Sequence, residues 1–220
     1  MEEDKIVEIM KKYIVLLAVA IICVLLISGC SEEKAQTTYG SGFDLTCCEQ
    51  ITEKDIYDLC LRIRDRDPEE FEAIMLTNKF HQHVGPNNIY GTKMALYAKR
   101  LLSGKNHQIQ VISEAGTKPP ISCLNDGIMC AIGATFGRGL ISTLPDSRKM
   151  AATFVYNDKA IRLEVKPDKL EYTQKYIADS LKRHGGLTDD YFKDVRKMAL
   201  HVWENYAQED LFIVTSPTAR

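Results

Sequence analysis

The sequence predicts an α+β domain, with mixed helices around a small β-sheet that includes a β-hairpin, preceded by a signal or anchor segment. Three observations carry this reading. Apolar residues recur at helical spacing in long runs on both sides of the chain's centre. Two β-rich runs, KMAATFVYND and KAIRLEVKP, are split by a turn at Asn157-Asp158, which is a hairpin signal. The run YIVLLAVAIICVLLI, starting at Tyr13, carries no charge and follows Lys11-Lys12. Helices interleaved with a hairpin point to α+β rather than to an alternating βαβ array. A length of 220 residues, 45% hydrophobic and 26% charged, suits one globular domain behind that front end.

The front end reads as residues 1–29, a signal peptide with a lipobox, and residues 30–50, a polar tether; the α+β domain then occupies 51–220. Ile27-Ser28-Gly29-Cys30 has the small residues that a lipoprotein peptidase needs, and a thiol able to take the thioether-linked lipid. The alternative is an uncleaved anchor, for which Tyr13 to Ile27 is short, because about 20 apolar residues are needed to cross a bilayer. Either way the domain is tethered to a cell membrane, through Cys30 or the apolar segment, and faces the extracytoplasmic side. A net charge of -2 with no basic stripe argues against nucleic acid as a partner.

Within the domain, Thr52 and Asp55 resemble a capping box before a helix that carries Ile56, Leu59, Cys60 and Ile63. Pro68 opens a second short helix, PEEFEAIMLT. FHQHVGPNNIYGTKMALYAKRLL then places His81 and His83 on a strand or loop leading into a further helix, capped by Asn87 or Asn88, with an apolar stripe of Tyr90, Met94, Tyr97, Ala98, Leu101 and Leu102. Gly91 and Ala95 are small and four apart, so another backbone can approach there. HQIQVISEA alternates as a strand. After TKPPIS, Cys123 and Asp126 begin a short helix, followed by the glycine-dense loop from Gly133 to Gly139. Helical patterns run from Asp168 to Lys182 and from Thr188, the second helix's cap, to Tyr206, broken by Gly185-Gly186. EDLFIVTSP closes on an edge strand.

The chain has seven cysteines. With Cys23 in the signal and Cys30 lipidated, Cys47, Cys48, Cys60, Cys123 and Cys130 remain. That odd number leaves at least one thiol unpaired. On one helix, Cys123 and Cys130 stand roughly 10 Å apart along the axis, too far for a disulfide. Cys47 or Cys48 with Cys60 is the one local pairing.

An extended His-x-His turns both imidazoles to one side. Two imidazoles and one thiolate, from His81, His83 and Cys123, make a three-ligand site with an open position, best suited to zinc among transition metals. Asp126, one helical turn from Cys123, is either a partner to a histidine or a fourth ligand. The residues alone leave a plainer reading open, in which one histidine bonds the helix start and the other faces solvent. Thr135 and Arg138, in the glycine-dense loop, either cradle an anion or serve a tight turn. His107, His184 and His201 stand alone as surface or satisfied residues.

These motifs resemble the FmdE family, named for the E subunit of formylmethanofuran dehydrogenase. Its members carry H-G-H-x-C-P-G before a helix with small residues, then a C-x-x-D-x-I-Q helix and a G-C-T-x-G-[KR]-G-N loop before a β-hairpin. Here the first reads His81-Gln82-His83-Val84-Gly85-Pro86, the second Cys123 to Met129, and the third Gly133 to Gly139. The resemblance covers roughly Asp55 to Val165. It implies an α+β fold, metal binding through His81, His83, Cys123 and Asp126, and, as in some members, a homodimer. Gly85 stands where the family has a cysteine, Met129 where it has glutamine and Ala134 where it has a second cysteine. The alternative to metal binding is a metal-free module, in which the paired histidines, a helix N-terminus and Arg138 hold an anionic small molecule or cofactor.

Overall fold

The structure is a computed structural model that describes residues 54–64 and 66–216. The signal and lipobox with Cys30, the tether, the cap at Thr52, and Cys47 and Cys48 lie outside the described residues, as does the side chain of Cys60. The elements run α1 (Lys54–Ile63), α2 (Pro68–His81), α3 (Pro86–Leu102), β1 (Gln110–Ser113), α4 (Cys123–Ile132), a 3₁₀ turn (Phe136–Arg138), β2 (Ile141–Thr143), β3 (Ala151–Tyr156), β4 (Lys159–Val165), α5 (Pro167–His184), α6 (Asp189–Asn205), α7 (Gln208–Leu211) and β5 (Phe212–Thr215).

The strands form one sheet in the order β2-β1-β3-β4-β5. The hairpin β3-β4 pairs Tyr156 with Lys159 around Asn157-Asp158, and β5 lies at one edge. Every neighbouring pair is antiparallel except β1 and β2, which run parallel with Val111 opposite Ile141. Parallel neighbours need a crossover, and α4 supplies it. β2 is the strand that the sequence pattern does not reveal: three residues are too few to display alternation. Val111, Ala152, Phe154 and Leu163 on the inner face are buried.

That face is covered by α3, which packs on α2, α4, α6 and β4. The expected one-sided stripe is too narrow a description of α3. Ile89, Thr92, Lys93, Ala95 and Leu96 are buried beside Tyr90, Met94 and Ala98, whereas Leu101 is 45% exposed. A helix apolar nearly all round is a central one. Its polar members find partners inside. Lys93 Nζ meets Glu70 Oε1 at 2.7 Å and the carbonyl of Tyr206 at 3.0 Å, and Gln208 Nε2 donates to Glu70 Oε2 at 2.8 Å. Burial pushes the Lys93 pKa down against the opposing pull of Glu70. On the far side Trp203 is 1% exposed and stacks on Phe71 at 6.1 Å. Burying each such side chain contributes on the order of 2 kcal/mol.

The α3-α4 contact sets the position of everything that follows. A Cβ at Gly91 would stand 2.1 Å from the Leu124 carbonyl oxygen, and one at Gly127 would stand 2.1 Å from the Asn88 carbonyl oxygen. Two glycines, one on each helix, let the backbones touch. The close approach expected at Gly91 and Ala95 is therefore made within the chain, and both residues are buried there, so this face is not the one a second copy could use.

Candidate metal centre

α2 is longer than the sequence suggests. Asp67 caps it by accepting from the Glu70 amide at 2.9 Å, Pro68 sits in its first turn, and it continues to His81. His81 is thus the last residue of a helix and does not lie on an extended segment, which corrects the geometry expected for His-x-His. Gln82, in the left-handed region at φ 66°, ends the helix and donates from Nε2 to the Lys79 carbonyl at 2.8 Å. Glycine takes that conformation without strain, consistent with H-G-H in the family pattern. The sharp turn still brings the two imidazoles together: their centroids lie 4.5 Å apart, tilted by 47°.

The next helix is then fixed from the other side. Gly85 precedes Pro86, and Asn88 Oδ1 accepts from the Gly85 amide at 3.1 Å, so Asn88 does cap α3, from inside its first turn. Asn87 reaches across to the Pro120 carbonyl at 2.7 Å and pins the Pro-Pro loop that delivers α4. Asn125 holds the same helix start to the sheet: its Oδ1 accepts from Ser113 Oγ at 2.6 Å and its Nδ2 donates to the Gly116 carbonyl at 2.9 Å. Cys123 is the first residue of α4 and Asp126 lies in its first turn.

The outcome is a direct contact across the α2-α4 junction. His81 Nδ1 and Asp126 Oδ2 stand 2.6 Å apart. His81's Nε2 is buried with no hydrogen-bond partner among the described residues. The Asp126 carboxylate raises the His81 pKa to about 9, and the neighbouring Cys123 thiol adds to the effect. His83 is exposed on one side, but partial burial of its ring, and then the charge of His81, push its pKa down. The two histidines are driven apart electrostatically, one toward the cation and the other toward the neutral base.

The donor chemistry fits a metal in one respect. A histidine that gives its Nδ1 proton to a carboxylate presents Nε2 as an oriented lone pair, the usual arrangement behind a metal-bound imidazole. Among the described residues, no group of three His, Cys, Asp or Glu side chains stands ready as a cage. A Cβ at Gly85 would lie 3.2 Å from His83 Nε2. The family's cysteine at that position would therefore sit against His83, and this chain lacks it.

His83 also borders a cleft of about 530 Å³, walled by Gln82 and, from α6, by Asp189, Phe192, Lys193 and Arg196. The His83 and Phe192 rings meet edge-on at 6.0 Å. Sequence reasoning missed this wall. Its only trace is the spacing of Asp189, Lys193 and Arg196 on one face of a helix. The Ser113-Asn125 anchor was missed for a different reason: its partners come from separate elements.

The remaining candidates lie elsewhere. Thr135 and Arg138 belong to the 3₁₀ turn, where the Thr135 carbonyl accepts from the Arg138 and Leu140 amides at 3.2 Å each. Gly133 and Gly139, at φ 67° and 66°, end α4 and the turn, and neither Thr135 nor Arg138 lines the cleft beside His83. The Cys130 thiol is pushed up to about 11 by burial. His184 Nε2 meets Asp194 at 3.0 Å, in a network with Ser180 and Arg183 that joins α5 to α6.

A family model described as FmdE, molybdenum formylmethanofuran dehydrogenase operon, matches residues 80–212. The match takes in His81, His83, Cys123, Asp126, the hairpin and both C-terminal helices. Among solved structures, an FmdE-like protein of the tungsten formylmethanofuran dehydrogenase type from Syntrophus aciditrophicus is similar at 20% identity, over 69% of this chain and 73% of that one, with a TM-score of 0.46. No curated protein matches the chain.

Proposed function

Because the chain belongs to the FmdE family, we propose that it is a metal-binding member of that family, holding zinc through His81 Nε2, Cys123 Sγ and His83. The observation that carries this reading is the buried Nε2 of His81, partnerless while Nδ1 is fixed on Asp126. Leaving a buried nitrogen unsatisfied costs about 1–3 kcal/mol, and a metal removes that cost. Asp126 orients the ring and does not ligate. The depressed pKa of His83 favours the neutral imidazole that ligation requires. A metal with an open position supplies Lewis acidity or an acidified water.

The same reading has the domain tethered outside the cytoplasm, through lipid on Cys30 or through the apolar N-terminal segment; this rests on the sequence from Lys11 to Cys30. Mass analysis of the mature N-terminus checks it: a diacylated Cys30 is expected, and an unprocessed Met1 leaves the plain anchor.

Elemental analysis of protein purified without a histidine tag tests the metal. About one equivalent is expected, lost in both His81→Ala and Cys123→Ala. Metal retained by both variants refutes the assignment, and metal-free protein that still binds an anion favours the binding-module alternative.

A further inference from the structure

The cleft beside His83 is not used by the metal ligands themselves, and its walls carry their own chemistry. We propose that it is the ligand side of the metal site and takes a small oxyanion, a carboxylate or phosphate compound with a compact apolar part. This rests on the metal reading for its orientation.

The volume of about 530 Å³ falls within the range of small-molecule sites, roughly 300–1,000 Å³. Lys193 and Arg196 stand one helical turn apart on the α6 wall, so one anionic group can reach both. Lys193 Nζ lies 2.8 Å from Asp190, but this pair is exposed on both sides, 61% and 65%. Such a pair contributes only about 0–1 kcal/mol, so an incoming anion displaces it cheaply. Asp189 on the same wall disfavours a heavily charged polyanion and selects for a small one. Phe192 and the buried Val84 form the apolar part of the lining, and the amides of Asn78 and Gln82 add polar contacts.

What links the cleft to the metal is His83. Its ring touches Phe192 on one side, at 6.0 Å between centroids, and His81 on the other, at 4.5 Å. A ligand anchored by its anion on α6 therefore presents its other end at the histidine pair. The opening is made by a helix near the C-terminus and a turn far upstream in the chain, which is why no single motif marks it.

Calorimetric titration of the full, zinc-supplemented chain in detergent tests this, with succinate and inorganic phosphate as separate probes and the metal content of each sample measured alongside. At least one probe is expected to bind, weakened five-fold or more in each of Lys193→Gln and Arg196→Gln at unchanged metal content, while Arg138→Gln leaves binding as it was. Preference between the probes decides between the carboxylate and phosphate sources. Absence of binding by both probes overturns the inference, as does binding that neither α6 substitution alters. Failure of the metal reading shows separately, as a chain without metal.

Discussion

Substituting Gly127 by alanine tests the helix contact that places Cys123 and Asp126 against His81. In an ordinary exposed helix this change stabilises by about 1 kcal/mol. Here the added Cβ would stand 2.1 Å from the Asn88 carbonyl oxygen and 2.7 Å from the Thr92 amide nitrogen, against about 3.4 Å for ordinary contact. Both obstacles are helix backbone and cannot rotate aside. The helices must part by roughly 1.3 Å at that point, with an overpacking cost at the upper end of the usual 1–3 kcal/mol. After the propensity gain, a net loss of about 2 kcal/mol is expected, or roughly 4–8 °C in Tm for a domain of this size. Thermal unfolding followed by circular dichroism measures it. Gly137→Ala is the control: nothing lies within 4 Å of its Cβ, and its effect should stay within about 0.5 kcal/mol. A Gly127→Ala protein as stable as the parent, or more so, refutes the close-contact account of the α3-α4 pair.

Asp126→Asn should drop the His81 pKa from about 9 toward 6.5 in the metal-free protein, read by NMR titration; an unmoved value removes Asp126 as the cause. Because folding raises this pKa, the pairing stabilises fully below pH 6.5 and the contribution is lost as pH rises to about 9, so Asp126→Asn should flatten the fall in Tm across that window. Glu70→Ala leaves the Lys93 ammonium, 2% exposed, without its carboxylate and should cost about 3–5 kcal/mol in urea unfolding. Adding Lys93→Met should recover much of that loss, and no recovery argues against a charge effect. Asn125→Ala removes both anchors of the α4 start, on Ser113 and Gly116, and should cost about 2–3 kcal/mol in the same assay.

The parts of the fold legible in sequence were those governed by local rules. The β3-β4 turn, the Thr188 cap and the break at Gly185-Gly186 each depend on a few adjacent residues, and each stands where the pattern put it. The His-x-His geometry was misread because α2 runs on to His81, and a left-handed Gln82 mimics what an extended segment would have done for the rings. The role of Gly91 was half visible: a small residue announces a close approach but not the partner, which is α4 of the same chain. The Lys93-Glu70 pair and the α6 wall of the cleft were invisible, since charged residues on helices ordinarily read as solvated faces. Only tertiary packing turned those side chains inward or toward the histidines.

The metal assignment stands or falls on where His81 Nε2 and Cys123 Sγ end up when metal is supplied. A crystal structure of the zinc-loaded chain, with the metal located by anomalous scattering, measures this directly. Zinc is expected about 2.0–2.1 Å from Nε2 and about 2.3 Å from Sγ, with Nδ1 still on Asp126. Zinc bound elsewhere, or a His81 ring that keeps Nε2 clear of it, contradicts the assignment.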